Sequence, residues 1–119
     1  MKAFHAITRK EIAVNLEVAE TFRARSKGLL GKSSLAAGEG LLIRPCKGVH
    51  TIGMKFPIDV VFLDNSNKVI GICKELQPNR LTAIRLRAAS VLELPVGTVE
   101  ATALKLGDEV ELVQSAAKP

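Results

Sequence analysis

The chain has no tryptophan and no tyrosine, and four phenylalanines are its whole aromatic complement. That absence removes the aromatic faces on which nucleic-acid binders stack bases. Cysteine and histidine are scarce too: Cys46, Cys73, His5 and His50 are the full supply, with no CxxC and no HxxxH spacing. A structural zinc site draws four such ligands from two close pairs, so no metal site is expected. Cys46, His50 and Met54 do recur every fourth residue, a set of soft ligands that would suit a Cu(I)-like ion. On a strand only His50 and Met54 would share a face, and the reading adopted is a packed methionine. No run of apolar residues approaches the ~18 that a membrane span requires. Lys2 is followed by no apolar stretch of ~7 to 15 residues, so no signal peptide is expected and the chain is assigned to the cytoplasm. In that reducing compartment the two thiols stay unpaired. Phosphate loops, GxGxxG, GxSxG and HExxH are all missing, and no cofactor is expected.

What is present suits one folded unit. At 119 residues, 47% of them hydrophobic, the chain is long enough for one domain and one core. Seventeen lysines and arginines against twelve acids give a formal charge of +5, a weak general attraction for polyanions. Arg80, Arg85 and Arg87 are the densest arginines, in a polar stretch that reads as a solvated loop.

Alternation over residues 11–18 puts Ile12, Val14, Leu16 and Val18 on one side, the period of a half-buried strand. Residues 19–30 suit a short helix broken by Gly28 and Gly31. Leu41, Leu42 and Ile43 form a short strand stopped by Pro45. Three further strands are expected over 49–54, 58–63 and 68–76, the last two joined by an Asp64–Asn67 hairpin loop. Residues 58–63 are apolar on both faces and mark the centre of the core. Gly71 inside the third strand signals a bulge or a close neighbour. A strand over 90–94, one or two helical turns over 98–104 and a strand over 109–113 complete the pattern. The expected fold is mainly β: a single compact sandwich or partly closed barrel over residues 11–113 with one or two short helices. Residues 1–10 form an N-terminal segment, and 114–119 a loose tail.

Three acids stand in unusual settings: Glu39 between two glycines, Asp59 at the head of a doubly apolar strand, and Glu93 within Val91-Leu92-Glu93-Leu94. A carboxylate so placed must find donors or carry a raised pKa. Either these side chains pin loops, or Glu39, His50, Lys55, Asp59 and Glu93 converge on a pocket.

Several stretches carry a family resemblance. They are Arg23 with Gly28-Leu29-Leu30-Gly31-Lys32, Gly38-Glu39-Gly40-Leu41-Leu42, His50 through Asp64, Val91 through Gly97, and Gly107-Asp108. Together they resemble the domain of unknown function 192 family over roughly residues 11 to 113. The resemblance implies a compact β-rich sandwich-like domain and supplies no catalytic residue. Many relatives stand behind export signals, and many have an aromatic near Ile52 or Gly53 that this chain lacks. Arg23 thereby joins Glu39, His50, Lys55, Asp59 and Glu93 as a candidate ligand-binding residue. The expected function is a non-catalytic binding or accessory module for a small polar ligand or peptide, with its polar site near His50 to Asp59; nucleic acid is not the expected partner. Two alternatives stay open. One is a hydrolase-like enzyme using His50 and carboxylates, with Cys46 or Ser90 as imaginable nucleophiles; the other is a basic anion- or RNA-binding surface.

Overall fold

In the computed structural model, which describes residues 1–114, the chain forms eight strands and two short helices. The strands are β1 (Lys2–His5), β2 (Glu11–Ala13), β3 (Asn15–Ala19), β4 (Glu39–Ile43), β5 (Ile58–Leu63), β6 (Val69–Leu76), β7 (Ser90–Pro95) and β8 (Val110–Val113). Helix α1 spans Phe22–Lys27 and α2 spans Thr98–Thr102. Five strands make the larger sheet in the order β3-β4-β7-β5-β6, and three make the smaller in the order β2-β1-β8. The mainly β, sandwich-like architecture read from the sequence is therefore the architecture of the protein. β1, within the first ten residues, is the middle strand of the smaller sheet.

All six residues of β5 are buried, as apolarity on both faces requires. Leu42, Val61, Leu63, Leu92 and Leu94 pack one face of the larger sheet against Ala3, Ile12 and Val110 of the smaller sheet and Val99 of α2. Leu41, Ile43, Val60, Phe62 and Val91 pack the other face against Leu29, Met54 and Ala88. Among the described residues no sheet covers that second face. Three connections do, residues 20–38, 44–57 and 77–89. The first is obligatory: β3 and β4 are parallel, so the chain must cross over between them, and α1 lies in that crossover. Thr21 Oγ1 accepts from the Ala24 N–H at 3.0 Å to start the helix, and Gly28, at φ 49°, ends it.

Two expectations need correction. The alternating run 11–18 is not one strand, because the chain bends at Val14, where the Val14 and Asn15 N–H groups both donate to the Gly38 carbonyl (2.8 and 2.9 Å). β2 and β3 thus belong to different sheets. Residues 49–54 are not a strand either. Their backbone bonds go to the neighbouring connection, Thr51 N–H to the Arg80 carbonyl (2.9 Å) and Thr82 N–H to the Val49 carbonyl (3.0 Å), with one isolated bridge between His50 and Leu81. The Asp64 hairpin is as read: its carboxylate accepts from the Ser66 and Lys68 N–H groups, which hold it below the usual carboxylate range. Of the tail expected to be loose, residues 115–119 lie outside the described residues.

Candidate functional site

The three connections leave a cleft of about 570 Å³ over the second face of the larger sheet. Its walls are α1 and the turn after it, Ile43, residues 45–50, Met54 and Ile84, and Glu93 of β7 contributes from the sheet. The lining is mostly apolar.

Glu93 is the unusual member. In the sheet it pairs with Leu41 on one side and Val60 on the other, so its carboxyl rises from an apolar row. The residue is 2% exposed, and its Oε1 has no hydrogen-bond donor among the described residues. Burial pushes its pKa up to about 7. Gly28 lies above it: a Cβ there would sit 3.9 Å from Glu93 Oε1, so the missing side chain keeps the space over the carboxyl free. Arg25 enters from α1, with its Nη1 donating to the Pro45 carbonyl at 3.1 Å while its buried Nε finds no acceptor among the described residues. Cys46 is half-buried, and its Sγ donates to the Gly48 carbonyl at 3.2 Å. Burial pushes this thiol up, Glu93 adding to the rise and Arg25 opposing it. Such a thiol is neutral near pH 7 and a poor nucleophile.

His50 is exposed on the cleft wall, and its Nδ1 accepts from the Ile52 N–H at 3.2 Å. No hydrogen bond joins it to Cys46 or to a carboxylate among the described residues. Of the residues singled out in the sequence, the cleft therefore brings together His50 and Glu93. Cys46, His50 and Met54 also line it, although no group of three His, Cys, Asp or Glu side chains among the described residues could hold a metal.

The other candidates lie elsewhere. Asp59 projects to the opposite face of the sheet, since it pairs with Leu94 while its neighbour Val60 pairs with Glu93. Its Oδ1 accepts from Glu75 N–H (2.9 Å), and its Oδ2 from the Gly97 and Val99 N–H groups (3.2 and 3.1 Å). It ties the start of α2 to β5 and β6. Glu39 accepts from the Ala36 N–H at 2.7 Å, beside a separate surface hollow with Lys32 and Asn15. Arg23 and Lys55 are exposed and line neither recess. Arg25, not Arg23, faces the cleft, because Phe22, Arg25, Ser26 and Leu29 share one side of a helical period. That periodicity is legible in the sequence and could have singled out Arg25.

Residues 5–112 match the family described as DUF192, Uncharacterized ACR. The chain belongs to the DUF192 family. It is 33% identical over 105 residues to a UPF0127 protein of Pyrococcus furiosus, covering 86% of this chain and 90% of that relative. Among solved structures it is similar to a protein of unknown function from Novosphingobium aromaticivorans, with a TM-score of 0.76 and 22% identity over 94% of this chain and 93% of that one. A Sinorhizobium meliloti structure gives a TM-score of 0.77 and 23% identity over 92% and 89% of the two chains. These two likenesses establish a shared fold.

Proposed function

We propose that this DUF192 domain is a binding module, and that its cleft takes a small molecule or peptide segment with an apolar body and one amide-like group. The observation that carries this reading is the orphaned pair on the cleft walls: a donor, Arg25 Nε, and an acceptor, Glu93 Oε1, neither with a partner among the described residues. Leaving such groups unsatisfied costs about 1 to 3 kcal/mol each. A peptide group offers one acceptor and one N–H and would complete both. The mostly apolar walls, with Met54, Leu29 and Ile43, suit the attached side chain. Binding is favoured over catalysis because the Cys46 thiol is neutral and, among the described residues, His50 has no hydrogen bond to a carboxylate or a nucleophile.

The test is a thermal-shift titration with capped apolar amino-acid amides, such as N-acetyl-leucinamide, against hydrocarbon alcohols of the same size. The melting temperature should rise with the amides, and Arg25→Leu should remove the rise while leaving the unliganded protein folded. Equal effects of amides and alcohols, or no shift with either, would reject the reading.

A further inference from the structure

The charges of this protein are unevenly distributed along the fold. The three connections that cover the second face, residues 20–38, 44–57 and 77–89, carry ten of the seventeen lysines and arginines, and their only acid is Glu20 at the first boundary. The rest of the chain has seven cations against eleven acids. Two of the ten, Lys32 and Arg44, are spent on ion pairs with Glu17 and Glu20. Arg23, Lys27, Lys47, Lys55, Arg80 and Arg87 are exposed and make no ion pair among the described residues. The same connections also expose large apolar side chains. Leu81, Ile84 and Leu86 are 73%, 67% and 80% exposed and interleave with Arg80, Arg85 and Arg87. Arg85 is the fixed point of this loop. Its guanidinium lies 4.8 Å from the centre of the Phe62 ring and fills the space that the missing side chain of Gly71 leaves free. The Arg85 N–H donates to the Lys47 carbonyl at 2.8 Å. On this anchored loop Ile84 lies over Gly48 at the cleft wall, while Leu81 and Leu86 stand exposed on either side.

We infer that this face docks peripherally on an anionic lipid surface, with Leu81, Ile84 and Leu86 entering the acyl boundary and the surrounding cations meeting the headgroups. Charge complementarity supplies the attraction: each cation held at an anionic bilayer surface is worth roughly fivefold in partition at low salt. The exposed aliphatic side chains decide between polyanions. A nucleic acid would want several aromatic faces for its bases, and among the described residues Phe22, 79% exposed, is the one phenylalanine exposed on these connections, whereas leucine and isoleucine gain by leaving water for acyl chains. The docking face shares Ile84 with the cleft wall, so the test replaces Leu81, Leu86, Arg80 and Arg87, none of which lines the cleft.

Sedimentation of the full chain with phosphatidylcholine vesicles, with and without 30% phosphatidylglycerol, tests it. Binding should need the anionic lipid and weaken steeply between 50 and 500 mM NaCl. Leu81→Ser with Leu86→Ser should lower the partition constant about tenfold at fixed charge, and Arg80→Glu with Arg87→Glu should abolish binding. Ile7→Ser with Leu106→Ser, equally exposed apolar positions outside the three connections, should change nothing. All these positions are on the surface, and an unchanged melting temperature confirms folding. Three outcomes would overturn the inference: no anionic-lipid dependence, no effect of the leucine replacements, or tighter retention on a 20-nucleotide single strand or on polyglutamate than on vesicles at the same salt.

Discussion

Glu93 and Asp59 are buried carboxyls on adjacent strands, and their surroundings set them opposite tasks. Asp59 accepts three backbone N–H groups, while Glu93 Oε1 has no donor. Replacing Asp59 with Asn should lower stability by about 2 kcal/mol, because an amide cannot accept at both ends. The denaturation midpoint should fall while ligand binding in the cleft stays intact. For Glu93 the consequence lies in pH. Its folded pKa is raised from 4.5 to about 7, so below about pH 4.5 the group is protonated in both states. Between there and about 7 the unfolded chain ionises first, and stability falls through that window by roughly 3 kcal/mol before levelling off. Glu93→Gln should remove this slope. Urea denaturation at pH 5 and pH 8 checks it: the variant should match the parent more closely at pH 5 and exceed it at pH 8. A parent whose stability is flat across the window would contradict the buried, unpaired carboxyl.

At the scale of elements, β5 is the strand on which both cores depend. Phe62→Ala should cost about 3 to 5 kcal/mol, because it leaves a cavity and removes the ring beneath Arg85. The chemical-denaturation midpoint reads this directly. β5, β6 and β7 were legible in the sequence because their apolar patterns have the period of the elements they form. Gly71 was legible as well: the β5–β6 register shifts beside its partner Phe62, and Arg85 is its close neighbour. Residues 49–54 were misleading for a physical reason. Val49, Ile52 and Met54 give an apolar pattern, but the backbone groups of Val49, Thr51 and Gly53 bond residues 79–82 in an irregular clasp that a local pattern does not encode. The bend at Val14 was hidden in the same way, since it depends on the distant Gly38 carbonyl.

Across the whole molecule, two packed faces of one five-stranded sheet form the core, and the expectation that folding needs neither a metal nor a disulfide has a direct test. Melting in chelator and reductant should leave the transition temperature unchanged, and a large fall would contradict this. Composition and periodicity by themselves determined the class of the fold, the central strand, the hairpin and the odd setting of Glu93, because burial and strand period are written locally. The sequence also contains the concentration of cations in three stretches. Only the tertiary structure decided that those stretches cover the same face and that a cleft opens between them. It also decided that Asp59 points away from that cleft while Arg25 points in. Such facts depend on which strands become neighbours and on which face each crossover lands. Contacts between residues far apart in the chain settle both, and no local pattern records them.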